Sequence, residues 1–203
     1  MRIVIVGQQW LGAEALKLCL RRGDDVAKVF APGAVGEEYD RLSAAAQQAG
    51  VPVEVCKQRV EAGHIPAGTD VIVAAHAHAF IAKGARLATR YGALGYHPSL
   101  LPRHRGRDAV RWTIHMGDPI AGGTAYWMDD GADAGPIAAQ DWCHVYPGDD
   151  AGTLWRRDLA PMGLRLIEKV LAELDRGIVT AIPQTDYPAT WEPAFSSARL
   201  SEA

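Results

Sequence analysis

Apolar positions along this chain follow two habits: tight β-branched runs and runs with helical spacing. Residues 2–6, RIVIV, form a compact apolar run that closes at Gly7, and LGAEALKLCLRR, residues 11–22, carries apolar side chains at helical spacing. Strand, turn and helix are expected in that order. DDVAKVFA, residues 24–31, predicts a second strand that ends at the turn signal Pro32–Gly33. EEYDRLSAAAQQAG, residues 37–50, predicts a helix closed by Gly50. VPVEVC, residues 51–56, reads as a third strand, and TDVIVAAHAHAF, residues 69–80, as a fourth. The VIVAA within it lacks alternation, as expected of a strand buried on both faces. A short helix over residues 81–92 and the strand ALGYH, residues 93–97, follow. Strands alternating with helices at this spacing predict the α/β class, a Rossmann-like, mostly parallel, twisted sheet with flanking helices and right-handed crossovers.

After Gly106 the pattern changes. DAVRWTIHMGD, residues 108–118, reads as a helix, and AGGTAYWMDD and PIAAQDWCHV as two strands around the tight acidic loop DGADAG, residues 130–135. Residues 152–177 form a long amphipathic helical run in which Pro161 predicts a kink or a break. Residues 180–203 are rich in Pro, Ser and Thr with little periodicity, and read as an extended tail wrapping the domain. The expected organisation is a domain over residues 1–180 and a C-terminal tail over 181–203.

Composition narrows the function classes. The chain has 203 residues, 48% of them hydrophobic, enough for a sizeable core. A net charge of −3 argues against a phosphate-binding surface without excluding a local basic patch, and no nucleic-acid partner is expected. Three scattered cysteines, Cys19, Cys56 and Cys143, read as reduced thiols rather than a disulfide framework. The N-terminal apolar run is too short for a signal peptide, and no window is long enough to span a membrane. A cytoplasmic protein with no membrane partner is expected; the oligomeric state is not fixed.

The chemistry-bearing candidates sit at strand ends. GQQWLG, residues 7–12, has the position of a phosphate loop but too few glycines, with Trp10 in the space a pyrophosphate needs, so it reads as a plain strand-to-helix turn. HAHAF places His76 and His78 two apart at the C-terminal end of the fourth strand, and so on one face of it. With His97 and Asp133 they compose a possible zinc or iron set, but strand-end histidines also simply line a pocket mouth, and no metal is expected. In YHPSLLP, His97 falls at the carboxyl end of a strand, where open α/β sheets bind ligands, and Pro98 biases its backbone toward an extended conformation. Asp133 lies in DDGADAG between Gly131 and Gly135, which permit close approach or positive φ, and is suited to hydrogen-bond His97 or hold its tautomer.

Together, HPSLLPRHRG and GGTAYWMDDGADAGPIAAQ resemble the paired signature of the 10-formyltetrahydrofolate-dependent formyltransferases, with Asp133 standing 36 residues after His97. The likeness runs from MRIVIVGQ to about IPQ and is greatest to the hydrolase domain of 10-formyltetrahydrofolate dehydrogenase. It implies the Rossmann-like formyltransferase fold and 10-formyltetrahydrofolate as the formyl-donor co-substrate. It also implies a catalytic set in which His97 and Asp133 match the family's histidine and aspartate. The family's asparagine is replaced by Gly95. The resemblance places the folate against His78, Ala79, Phe80 and Ile81 and against the loop Asp129, Asp130, Gly131 and Ala132. The basic run Arg103, His104 and Arg105 would meet the acceptor or the folate's glutamate tail. The implied reaction is formyl transfer to the amine of a small-molecule acceptor. The alternatives are a hydrolase that uses water as acceptor, and a folate-binding module without turnover.

Overall fold

The computed structural model of the chain describes residues 1–33, 40–56 and 58–197. It divides into two compact units, Met1–Tyr96 with Ile167–Ile178, and His97–Leu166 with the segment from Val179 onward.

The first unit carries β1 (Arg2–Gly7), α1 (Gln9–Arg21), β2 (Asp25–Ala31), α2 (Arg41–Gln48), β3 (Val53–Val55), β4 (Arg59–Val60), β5 (Val71–Ala75), β6 (Phe80–Ile81), α3 (Lys83–Leu87) and β7 (Ala93–His97), the last ending on the first residue of the second unit. Strands β7, β5, β1, β2 and β3 lie side by side in that order, and each neighbouring pair is parallel. The chain starts in the middle of this array and winds outward to one side, then to the other, which requires the helical crossovers the periodicity predicts. Ile3, Ile5, Phe30, Ile72 and Leu94 are fully buried, as are Leu11 and Leu16 of α1. Each such side chain contributes roughly 1.5–3 kcal/mol of burial. All five residues of β5 are buried, the outcome its unbroken apolar run foretells. The helix expected over 37–50 is observed as α2; its expected residues 37–39 lie outside the described residues. The Asp40 carboxylate caps α2 by accepting from the Leu42 N–H at 2.9 Å.

The second unit carries β8 (Arg105–Gly106), α4 (Ala109–His115), β9 (Ile120–Trp127), β10 (Ile137–His144), α5 (Ala151–Leu154), a π-helical turn at Trp155–Leu159, α6 (Ala160–Asp175) and β11 (Trp191–Glu192); α6 passes into the first unit at Ile167. β9 and β10 pair antiparallel across the acidic loop, from Tyr126 opposite Ile137 to Ile120 opposite His144. Leu154, Leu159 and Met162 are fully buried. The kink or break expected at Pro161 takes another form. α5, the π turn and α6 follow one another without a gap, and the irregularity precedes the proline, with the Ala160 N–H reaching back five residues to the Trp155 carbonyl. A π turn widens the helix where a proline would otherwise crowd the carbonyl four residues back.

The described part of the C-terminal segment, read as an extended tail, is hydrogen-bonded to the rest of its unit; residues 198–203 of that reading lie outside the described residues. Ile182 bridges to Ile137, and β11 pairs parallel with β8, Trp191 opposite Arg105 and Glu192 opposite Gly106. Neighbouring strands of the first unit's five-strand array are all parallel, with helices between them, which is the Rossmann-like α/β class expected from the sequence.

Candidate active site

His97 ends β7, and Pro98 follows it directly. The β-branched and small residues of β5 and β7 bury the strand, so the histidine emerges at its carboxyl end with 7% of its surface exposed. Its Nε2 lies 2.7 Å from the His104 carbonyl oxygen. A carbonyl oxygen only accepts, so Nε2 carries the proton and Nδ1 is the free end of the neutral ring. Nδ1 lies 3.7 Å from Asp133 Oδ2. The chain therefore fixes the ring's tautomer through a backbone atom seven residues on and aims the remaining nitrogen at a carboxylate.

Asp133 adopts a left-handed backbone, φ +51°. Its Oδ2 accepts from the Gly106 N–H at 2.9 Å, and its Oδ1 from the Tyr126 hydroxyl at 2.6 Å. Burial, and then the Asp133 carboxylate, push the Tyr126 phenol well above its ordinary pKa, so it stays a donor. Two glycines make this grip possible. Gly106 has φ +96°, and a Cβ there would stand 2.8 Å from the Glu192 carbonyl oxygen. A Cβ on Gly135 would stand 1.8 Å from the Trp127 carbonyl oxygen, where the loop closes with the Trp127 N–H donating to Pro136. Gln184 completes the surround: its Nε2 donates to the carbonyls of Asp133 and Gly135 at 2.9 and 2.7 Å, and its Oε1 accepts from Arg105.

The basic run has partners within the protein. Arg103 makes a bidentate pair with Asp118 at 3.0 and 2.7 Å, and Arg105 bonds Gln184. His104, expected to face acceptor or glutamate tail, is 3% exposed, with Asp118 Oδ2 at 2.8 Å from Nε2 and Glu192 Oε1 at 3.2 Å from Nδ1. Burial alone would raise the Asp118 carboxyl, but the bonds from Arg103 and His104 outweigh it and hold it below the usual carboxylate range. Arg103 and His104 thus find carboxylate partners in Asp118 and Glu192, and Arg105 a neutral one in Gln184.

The strand end in the first unit departs from its sequence reading. β5 stops at Ala75, and His76 takes φ +56°, so His76 and His78 do not share a strand face. Their rings instead meet edge to face at 5.2 Å, and His78 Nδ1 lies 3.0 Å from Gln8 Nε2. Strand alternation fails here because the backbone turns left-handed at the first residue past the sheet. Phe80 is 51% exposed under the Arg59 guanidinium, whereas Ile81 is 2% exposed. In the second unit, Asp129, Asp130, Gly131 and Ala132 are exposed, with Asp129 Oδ1 accepting from the Gly131 N–H. Gly95 is buried in β7 opposite Ala74. The turn at residues 7–12 leads straight into α1, and the Gln9 N–H donates to Asp40 rather than facing an open loop. Among the described residues, no group of three or more His, Cys, Asp or Glu could hold a metal ion, so His76, His78, His97 and Asp133 do not assemble as one. Among those residues too, no helix is long and apolar enough to cross a membrane.

Neither Tyr126 nor Gln184 stands out in the sequence, although Tyr126 lies within GGTAYWMDDGADAG. Tyr126 reads as one more apolar residue of β9, and Gln184 as a polar residue of a proline-rich tail. The one local signal is their closeness in sequence to the acidic loop and to IPQ, where the family resemblance ends.

Comparison with known proteins follows the same lines. The formyl transferase family model matches residues 28–170. The chain belongs to the formyl transferase family. It is 34% identical over 202 residues to the cytosolic 10-formyltetrahydrofolate dehydrogenase of Xenopus laevis, a match covering 95% of this chain and 22% of that protein. The chain thus spans about a fifth of the length of those relatives. It is 32% identical over 207 residues to the methionyl-tRNA formyltransferase of Acidobacterium capsulatum, covering 97% of this chain and 66% of that one. Among solved structures, the N-formyltransferase of Helicobacter canadensis, in complex with folinic acid and dTDP-3-aminofucose, superposes with a TM-score of 0.78 at 15% identity. That match covers 94% of this chain and 70% of that one, and establishes likeness of fold.

Proposed function

We propose that this protein transfers the formyl group of 10-formyltetrahydrofolate to the amine of a small molecule, with His97 and Asp133 as the catalytic pair. The observation that carries this reading is the set geometry of the pair. Nε2 of His97 is committed to the His104 carbonyl, and Nδ1 faces an aspartate whose two oxygens are already fixed by Gly106 and Tyr126. Such a ring has one working nitrogen. Unprotonated, Nδ1 takes a proton from the attacking amine; protonated, it donates to the oxyanion on the formyl carbon, and the Asp133 carboxylate stabilises the charged ring. The amine nitrogen bonds to the formyl carbon, the C–N10 bond breaks as the tetrahedral intermediate collapses, and the proton lost by the amine ends on N10.

Gly95 offers no side-chain donor where the family has asparagine, and loss of one oxyanion donor costs on the order of 100- to 1,000-fold in rate. That gap, with the similarity to 10-formyltetrahydrofolate dehydrogenases, supports a second reading in which water is the acceptor. The folate contacts of this reading are His78, Ala79, Phe80 and Ile81 on the first unit and Asp129, Asp130, Gly131 and Ala132 on the second, the exposed Phe80 offering an apolar face. Contact with the acceptor or the folate's glutamate tail is assigned to Arg103 and Arg105; His104, grouped with them in the sequence, is 3% exposed and turned to Asp118 and Glu192. A cytoplasmic location is part of this reading, supported by free Cys19, Cys56 and Cys143. Burial pushes the Cys19 thiol up to about 12 and Cys143 to about 11, so neither is a ready thiolate.

The test is tetrahydrofolate release from 10-formyltetrahydrofolate, first without an amine and then with a panel of amino sugars and amino acids, with His97→Ala as control. Release that needs an amine and vanishes in His97→Ala supports transfer. Release without one supports hydrolysis. Folate binding with no release under any condition overturns the enzyme reading and leaves a binding module.

A further inference from the structure

We infer that Gln184, on the C-terminal segment, is a positioning residue that holds Asp133 in its working place; this rests on Asp133 being half of the catalytic pair. The side-chain amide of Gln184 has two N–H donors and one oxygen with two lone pairs, and all four are engaged. Nε2 donates to the Asp133 carbonyl at 2.9 Å and to the Gly135 carbonyl at 2.7 Å. Oε1 accepts from Arg105 Nε at 3.1 Å and from Arg105 Nη2 at 2.7 Å. The opposite amide orientation would set NH₂ against a guanidinium and oxygen against two carbonyls, so only one orientation satisfies the site.

The two ends that Gln184 ties are the two that matter to Asp133. On one side it grips the backbone of Asp133 itself, a residue in a left-handed conformation that L residues other than glycine adopt at a cost. On the other it grips Arg105, whose next residue, Gly106, supplies the N–H to Asp133 Oδ2. One amide therefore sets the separation between the donor strand and the loop that carries the acceptor. The segment reaches this position because Ile182 is bridged to Ile137 on one side of Gln184, and β11 is paired with β8 on the other. The C-terminal segment is thereby part of the catalytic geometry.

The Gln184→Glu exchange separates positioning from mere packing. It keeps one oxygen on Arg105, where the added charge strengthens the pair, but turns a second oxygen toward the carbonyls of Asp133 and Gly135. A structural role confined to tethering the tail would tolerate this exchange. A positioning role would not.

The experiment uses the full chain and three variants: Gln184→Ala, Gln184→Glu and, as control on the same segment, Thr185→Val, whose hydroxyl donates to the nearby Tyr187 carbonyl at 2.8 Å. Two quantities are read: steady-state kcat and KM for 10-formyltetrahydrofolate, without an amine and with the amine panel of the preceding test, and hydrogen-exchange protection of the Gly106 amide, with Ile5 in β1 as reference. Both Gln184 variants should lower kcat about tenfold or more with KM changed less than about threefold. They should also lower Gly106 protection about tenfold while Ile5 is unaffected. Thr185→Val should match the parent in both. A cooperatively folding Gln184 variant with kcat within about twofold of the parent overturns the inference, and so does a fall in kcat with Gly106 protection intact. If the parent releases no tetrahydrofolate either with or without the amine panel, the proposed function fails. Gly106 exchange then decides alone: lost protection in both variants upholds the role of Gln184, and retained protection overturns it.

Discussion

Replacing Tyr126 with phenylalanine tests the catalytic pair from its least visible side. The ring is 5% exposed and keeps its packing in the variant, so what is lost is the 2.6 Å bond from its hydroxyl to Asp133 Oδ1. A hydrogen bond to an ionised group nets about 1.5–3 kcal/mol. The Asp133 side chain is 20% exposed, so water can reach the freed oxygen, which places the loss at the lower end, about 1.5–2 kcal/mol. In a chain of this size that is a fall in Tm of about 3–8 °C. If the same bond steadies Asp133 as charge develops on His97, kcat falls about tenfold with KM little changed. Because burial and the Asp133 charge raise the Tyr126 phenol well above its ordinary value, the hydroxyl is protonated across the assay range. The variant-to-parent ratio of kcat should therefore stay constant from about pH 6 to about pH 9. Thermal unfolding and steady-state kinetics over that range measure both quantities. A Tm within about 1 °C of the parent together with unchanged kcat would refute the view that the phenol holds Asp133.

Three further substitutions extend the test. Gly106→Ala places a Cβ 2.8 Å from the Glu192 carbonyl oxygen at φ +96°, and should cost about 2–4 kcal/mol in urea unfolding; a loss under about 0.5 kcal/mol would mean that β8 and β11 yield freely. Asp118→Asn removes the partner of Arg103 and His104. Because the folded Asp118 carboxyl lies below its ordinary value, its stabilising contribution is full above about pH 4 and is lost as pH falls from there toward the folded value. The Tm gap between parent and Asp118→Asn should therefore narrow below about pH 4, and a constant gap from about pH 7 to about pH 3 would contradict the pairing. Gly135→Ala has no room for its Cβ, 1.8 Å from the Trp127 carbonyl oxygen, and should abolish release of tetrahydrofolate while β1 amides stay protected; full activity would show that the loop does not need its tight closure.

Much of the fold was legible because burial leaves a periodic mark. VIVAA is apolar without alternation since β5 is buried on both faces, and α1 shows helical spacing since one side of it is packed. The mark fades where the chain leaves regular structure. His76 and His78 look like one strand face until the left-handed turn at His76 separates them, and Pro161 announces an irregularity that lands one turn earlier as a π turn. RHR reads as a basic run open to an acceptor or a glutamate tail because Asp118 and Glu192 lie 14 and 88 residues from His104, and no local pattern records such a meeting.

The sequence by itself determined the strand-end position of His97, the glycine-flanked loop of Asp133 and the order of strands and helices that carries them. These depend on neighbours in the chain: an apolar run, a following proline, glycines two residues away on either side. Only the tertiary structure decided the tautomer of His97, the two donors to Asp133 and the four-way bond of Gln184. Each of those joins groups whose separation along the chain ranges from 7 to 79 residues. Hydrogen-bond partners are chosen by distance in space, and the folded backbone alone sets that distance.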